Sequence, residues 1–190
     1  MAVVSTRSSS EISVDPGLLY VAAIGTAEPS ASTDLAAASL PSAWREVGYT
    51  EDGSLFKYDV KSEDIEVAEE LDPIASSITA RTGTLEFKMA QNTRKNLYLA
   101  LNMGATTTND ATAVEPPDPS AMVRVMLLHV SNDAGSVRGT LFRQCFNTGG
   151  LELDFAKAPK KVLVPVTFKL EKPTSKTSFK VFPNASGVIA

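Results

Sequence analysis

The sequence predicts a mainly β protein with one α-helix, built as a β-sandwich or partly closed barrel with a long hairpin and extended loops. Three observations carry this expectation. Apolar and polar residues alternate with period two in most segments between turn signals, as in strands with one buried face. Only one stretch sets an apolar stripe at helical spacing between a capping residue and a glycine. The chain has 190 residues, 43% hydrophobic and 21% charged, which suits one domain with its own core. Residues 1–17 are expected to form a flexible arm, residues 18–183 a single domain, and residues 184–190 a C-terminal tail.

The elements follow in chain order. Polar residues fill most of the first dozen positions, which suits an arm. LLYVAAI (18–24) is a compact apolar strand. Residues 25–43 are rich in Ala, Ser, Thr and Pro and read as a loop with a helical turn near Asp34–Ser39. AWREVGY (43–49) and SLFKYDV (54–60) are strands, and the Asp52-Gly53 pair between them reads as a hairpin turn, because glycine tolerates positive φ. SEDIEVAEELDP (62–73) reads as a strand with an acidic face. Asp64, Glu66, Glu70 and Asp72 fall on its even side, broken by Ala68, and Ile65, Val67 and Leu71 on its odd side with Glu69. SITARTGTLEFKM (77–89) places Leu85, Phe87 and Met89 on one face and Thr82, Thr84, Glu86 and Lys88 on the other. Two such runs in succession predict a long antiparallel hairpin with one buried side and Asp72-Pro73 at its tip.

AQNTRKNLYLALNMG (90–104) is the helix. Asn92 or Thr93 caps it, Leu97 and Leu101 with Tyr98 or the Arg94 stem supply its stripe, and Asn102 to Gly104 ends it. A Thr/Pro-rich loop over residues 105–120 is long enough to be functional or disordered. The last third is β throughout. MVRVMLLHVSN (122–132) and SVRGTLFRQCFN (136–147) flank an Asp-Ala-Gly turn, and LELDF (151–155) is a short strand. VLVPVTFKL (162–170) puts Val162, Val164, Val166, Phe168 and Leu170 on one face, and Pro165 opposite them marks an edge strand or a bulge. SFKVFP (178–183) closes the fold. The sum is nine or ten strands, one helix and two long loops, with no repeat of 20–50 residues and hence no solenoid.

Little in the chain points to catalysis. There is one cysteine, Cys145, so neither an internal disulfide nor a cysteine-based metal site can form. Cys145 shares a face with Val137 and Leu141 and reads as a small buried hydrophobe. The single histidine, His129, alternates with Val125 and Leu127 and reads as a satisfied strand residue. Gly149-Gly150 makes a turn, with no Walker pattern after it. DGSL and SNDAG lack the ligand alternation of a calcium loop. Carboxylates two apart on a strand lie roughly 6.5–7 Å apart and do not converge on one cation. No enzyme activity and no cofactor are expected. A net charge of −4 and a pI near 5.1 argue against nucleic-acid binding as the main role. No apolar run reaches the roughly 18 residues of a membrane span, and the start lacks a secretory pattern, so synthesis in a cytoplasm without membrane insertion is expected.

The net charge hides a division. Residues 51–72 hold nine acids and two bases, a balance of −7, while residues 157–180 hold seven lysines and one glutamate, a balance of +6. Opposed fields of this kind suit head-to-tail contacts between copies, although two solvated faces would look the same.

Ala43–Gly104 resembles the major tail tube protein of long-tailed, non-contractile bacteriophages, most closely those infecting actinobacteria. The resemblance lies in Trp44 and Gly48-Tyr49 before an acidic turn with Asp52-Gly53, the Glu/Asp-rich strand ending in Asp72-Pro73, and the Thr/Arg strand leading into a helix with Asn96-Leu97 and Ala100-Leu101-Asn102. LLYVAAIGTAEPSA fits the opening strand and loop of that family. The resemblance implies a tail-tube type of sandwich that forms hexameric rings, stacked into a hollow tube that conducts genomic DNA. It implies location in the virion, and as partners other copies of the chain, the tape measure protein, and the tail tip and tail terminator proteins. DNA would pass through the lumen without specific binding. Asp64, Glu66, Glu70 and Asp72 are then candidate lumen-lining residues, with Glu86 and Lys88 as possible contributors. The hairpin tip (Asp72, Pro73, Ile74, Ala75, Ser76) and the N-terminal arm are candidate inter-ring contacts. The arm, the Gly25–Pro41 loop and the 105–120 loop are expected to order on stacking. The alternatives are a monomeric β-sandwich binding or adhesion module, and the related tube protein of a contractile or secretion system.

Overall fold

A computed structural model describes residues 15, 17–36, 39–65, 72, 74–105, 113–133, 136–153, 155 and 161–183. The strands are β1 (Leu18–Ala23), β2 (Arg45–Glu46), β3 (Thr50–Ile65), β4 (Ala75–Met89), β5 (Val125–Asp133), β6 (Ser136–Asn147), β7 (Val164–Leu170) and β8 (Phe179–Phe182). One α-helix, α1 (Arg94–Ala100), and two single-turn 3-10 segments, Ser32–Leu35 and Pro119–Ala121, complete the described elements. The fold is mainly β with one helix, as expected, with eight strands among the described residues rather than nine or ten. The described part of LELDF joins no strand.

The strands form one sheet in the order β2-β1-β5-β6-β7-β4-β3, and every pairing is antiparallel. β6 changes neighbour along its length. Gly139–Phe142 pairs with β8, and Cys145–Asn147 pairs with β7. The sheet curls back on itself without closing. Phe56 of the terminal strand β3 meets Phe142 of β6 at 4.9 Å and Phe179 of β8 at 5.2 Å, edge to face. A sheet with two inner faces so close is a sandwich, or equally a partly open barrel.

The core has two layers. Leu85, Phe87 and Met89 of β4 pack with Val164, Val166, Phe168 and Leu170 of β7, and with Leu99 and Ala100 of α1. The alternation expected of both strands is therefore the core face. β1 and β5 are buried on both faces. Leu19 and Val21 join the main layer, while Tyr20 and Ala22 turn to a second layer with Leu35, Trp44, Leu128 and Phe182. Burial on both faces is why these two strands read as unbroken apolar runs.

Four expectations are corrected. Asp52-Gly53 is no hairpin turn. Both residues have positive φ (60° and 75°), but Glu51 pairs with Lys88 and Ser54 with Phe87 on the same partner strand. The demand for positive φ is met by a bulge, and β3 runs on through it. Second, β7 lies between β4 and β6 and is no edge strand. Pro165 is tolerated because the β6 ladder reaches only Phe168–Leu170. Third, the buried helix positions are Asn96, Leu99 and Ala100, while Leu97 is only partly buried. Thr93 is the cap residue but makes no side-chain cap bond. Asn102 (φ 55°) and Gly104 (φ 99°) end the helix as expected.

Fourth, the described part of the Gly25–Pro41 loop is already packed in the lone protomer. Leu35 is buried, the Trp44 indole donates to Ala27 O at 3.0 Å, and Lys180 donates to Ser30 O at 3.0 Å. Glu28 accepts from Arg143 at 3.1 Å and Lys176 at 2.7 Å. Burial opposes ionisation of Glu28, but its bonds to Lys176 and Arg143 outweigh it and hold the carboxyl below its ordinary pKa. Bonds from the Ser30 hydroxyl and from the backbone of Ala31 and Ser30 bring Asp34 down to about 2. The described part of the loop is therefore held by its own chain. Residues 1–14, most of the arm, and 184–190, the tail, lie outside the described residues. Asp15 is held by β5, since its carboxylate accepts from Asn132 N at 3.1 Å.

Buried asparagines tie the helix to the sheet. Asn147 donates to Ala100 O at 2.6 Å and accepts from Thr167 N at 2.9 Å and Gly149 N at 3.1 Å. Asn102 exchanges bonds with the backbone of Asn147, accepting at 2.6 Å and donating at 2.8 Å. These side chains satisfy backbone groups that the ends of α1, β6 and β7 would otherwise bury unpaired.

Candidate functional site

The outstanding feature of the surface is the outer part of the β3–β4 hairpin. β4 pairs with β7 only from Thr84 to Met89, and beyond Gly83 it pairs with β3 alone. β3 has no other partner among the described residues. Residues 58–65 and 74–81 are all exposed. The hairpin therefore leaves the body as a free two-stranded ribbon. From Tyr58 to Ile65 it spans roughly 23 Å at the usual strand rise. A long antiparallel hairpin is present, but not with the expected pairing: SLFKYDV and the first residues of the acidic run form one strand, β3, and Leu85, Phe87 and Met89 lie opposite Phe56, Ser54 and Thr50 rather than opposite residues 62–73. Residues 66–71 and 73 lie outside the described residues, and among those described the outer half has no buried side.

The ribbon is anchored by aromatics at its base, where Tyr58 meets Phe179 at 5.0 Å and Phe56 meets Phe142 and Phe179. Gly83 lets β4 pass close over Leu170, whose Cδ2 would lie 2.9 Å from an added Cβ. Further out the register slips, with Lys61 opposite Ala80 and Ser62 opposite Ile78. Thr79 is the extra residue, and such a bulge sharpens the twist. Alternation puts Tyr58, Val60, Ser62 and Asp64 on one side of β3, and Lys57, Asp59, Lys61, Glu63 and Ile65 on the other. Val60 is 50% and Ile78 54% exposed, unusual for large aliphatic strand residues in a body with a well-filled core.

The candidate charged residues are placed as follows. Asp64 lies exposed on β3 and accepts from the Ser76 hydroxyl at 2.6 Å. Asp72 is exposed at a bend, while Glu66 and Glu70 lie outside the described residues. Of the tip, Ile74, Ala75 and Ser76 are exposed, and Pro73 lies outside the described residues. Glu86 pairs with Lys57 at 3.2 Å on the opposite face from Phe56, and Lys88 is exposed beside it. Glu51 pairs with Lys161, which joins the acidic and basic regions within one protomer.

The two ends of the sheet differ. The β2 end is covered by α1. Arg45 donates to Lys95 O at 2.8 Å and to Asn96 Oδ1 at 3.2 Å, and Asn96 donates to Val47 O at 3.0 Å and Gln91 O at 2.9 Å. Burial lowers the Arg45 guanidinium to about 10. Nothing described covers the β3 end. Sequence reasoning missed this asymmetry, although the polar Asn96 inside the helical run, which the structure buries, bears on it.

Among the described residues, the titratable side chains are scattered rather than clustered. Among the described residues, no group of three or more His, Cys, Asp or Glu could hold a metal ion. No described helix is long and apolar enough to cross a membrane. Cys145 is buried, and burial, with the charge of Glu171, raises its thiol pKa far above the ordinary value. His129 is half-buried on β5 beside Gly17. What the surface offers is an open sheet edge sixteen residues long and an exposed ribbon.

The family described as "Phage tail tube protein" matches residues 6–177. No curated protein sequence matches the chain.

Proposed function

Because this chain belongs to the phage tail tube protein family, we propose that it assembles into stacked hexameric rings whose hollow lumen conducts genomic DNA. A structural role in the tail of the virion comes with the family. The observation that carries the rest is the open β3 edge with its projecting ribbon. An unpaired edge is a template for another strand, and a lone two-stranded ribbon is at best marginally stable in water. Both conditions are relieved when a neighbouring copy pairs with the edge and covers the ribbon. A heterologous contact of this kind closes into a ring, and a second one along the axis stacks the rings.

Asp64, Glu66, Glu70 and Asp72 form the proposed electrostatic lining. Duplex DNA carries one negative charge per roughly 1.7 Å, so a wall of carboxylates repels it and lets it slide. Glu86 adds little, because Lys57 offsets it, and Lys88 carries the opposite sign. The tip residues Asp72, Pro73, Ile74, Ala75 and Ser76 and the N-terminal arm are the proposed inter-ring contacts. The tape measure, tail tip and tail terminator proteins are the proposed further partners, and synthesis in the host cytoplasm is proposed as well.

Negative-stain electron microscopy of the concentrated protein, beside sedimentation velocity, tests the reading. Hollow tubes or rings of uniform width are expected. A protein that stays monomeric even with tail-tip components added would contradict it and point to a monomeric β-sandwich binding module.

A further inference from the structure

Where the ribbon leaves the body, a groove opens between Tyr58 and Arg81 on one side and Leu170, Lys172, Thr177 and Phe179 on the other. Its floor is apolar and aromatic, it carries two cations, and no carboxylate lines it. Two acids near it are engaged elsewhere. Glu171 accepts from Arg124 at 2.9 Å and Gln144 at 2.8 Å, and Glu28 is held by Arg143 and Lys176. Neither Arg81 nor Lys172 forms an ion pair among the described residues.

The chain contains a segment of matching chemistry. Residues 64–72, DIEVAEELD, hold five acids and no base, interleaved with Ile65, Val67 and Leu71. We propose that the groove receives this segment from a second copy of the chain. Bound as an extended strand, it lays Val67 and Leu71 on the apolar floor and Glu69 between Arg81 and Lys172. Period-two alternation then turns Glu66 and Glu70 away from the groove, so the same segment keeps the carboxylates assigned to the lumen. The contact is between copies for a geometric reason. Ile65, at the start of this segment in the same chain, stands roughly 23 Å up the ribbon from Tyr58 of the groove. Opposite charge selects the pairing and its register, and the apolar floor adds affinity. The inference rests on the tube reading and names the surface that one ring offers to the next.

The test is a charge swap. Lys172→Glu and Glu69→Lys should each raise the concentration needed for assembly by about tenfold, roughly 1.4 kcal/mol. The double variant Lys172→Glu/Glu69→Lys should recover most of that loss. All three should unfold in urea like the wild type, since Lys172 is exposed and Glu69 acts in the contact with a second copy. Single variants that assemble like the wild type, or a double variant no better than the singles, would overturn the groove while leaving the tube reading intact. A second measurement does not need assembly. Glu69→Cys and Lys172→Cys proteins of different mass, mixed and oxidised, should give a mixed disulfide dimer in excess over Glu69→Cys with Lys95→Cys. Equal yields would overturn the groove. A wild type that never assembles would overturn the tube reading separately.

Discussion

Asn147→Ala should be among the most damaging single changes outside the hydrophobic core. The side chain is 5% exposed. Its amide group donates to Ala100 O at 2.6 Å and, less closely, to Gly150 O at 3.3 Å. Its carbonyl accepts from Thr167 N at 2.9 Å and Gly149 N at 3.1 Å. Alanine leaves the C=O at the end of α1 and the N–H in β7 without partners. A buried polar group left unsatisfied costs about 1–3 kcal/mol, so these two together cost about 2–6 kcal/mol. Thr148→Ala is the control, because its exposed hydroxyl makes a single bond to Thr167 O at 3.1 Å, worth about 1 kcal/mol or less. Equilibrium urea unfolding of the dilute protein gives both numbers. Trp44, the one tryptophan, is 6% exposed and serves as the fluorescent reporter. The midpoint of Asn147→Ala should fall well below that of Thr148→Ala at an unchanged slope. A loss under about 1 kcal/mol would refute the claim that this side chain stands in for missing ladder bonds.

Other expectations follow from the same structure. Glu28 titrates below its ordinary value of 4.5, so the folded state binds fewer protons than the unfolded state near that pH. Its stabilisation is complete above pH 4.5 and is lost as pH falls through the lower folded value. Glu28→Gln should be less stable than the wild type at pH 7, and the gap should narrow in urea titrations at pH 3. Cys145 should resist a thiol reagent in the native protein and react at the rate of unfolding, as a stopped assay over hours would show. Gly139→Ala should cost about 1–3 kcal/mol, because its Cβ would sit 2.7 Å from Leu35 Cδ1 and 3.0 Å from the backbone O of His129. Differential scanning calorimetry would read that loss.

Much of the fold was legible because burial and period coincide. The even–odd alternation of β4 and β7 is local, and the core lies where it points. Asp52-Gly53 announced its positive φ correctly, but a turn and a bulge make the same local demand. Only the partner strand, more than thirty residues on, decides between them. Asn96, Asn102 and Asn147 were missed for a similar reason. Asparagine near a helix end reads as a cap, whereas the groups these side chains bond include Val47 O, 49 residues from Asn96, and the backbone of Asn147, 45 residues from Asn102. The pairing of Glu28 with Arg143 spans 115 positions. The exposed ribbon was hidden in another way. Val60, Ile65 and Ile78 have the composition of covered strand residues, and sequence cannot say whether the cover comes from the same chain or from another copy.

That last point is open to direct measurement by hydrogen–deuterium exchange, comparing dilute protomer with concentrated, assembled protein. In the protomer, the ribbon amides of residues 58–65 and 75–81 should exchange far faster than those of β5 and β6 in the core. On assembly, those amides and the β3 amides not bonded to β4 should become strongly protected, while the core changes little. Assembled protein whose ribbon and β3 edge exchange as fast as in the protomer would contradict the claim that neighbouring copies complete this sheet.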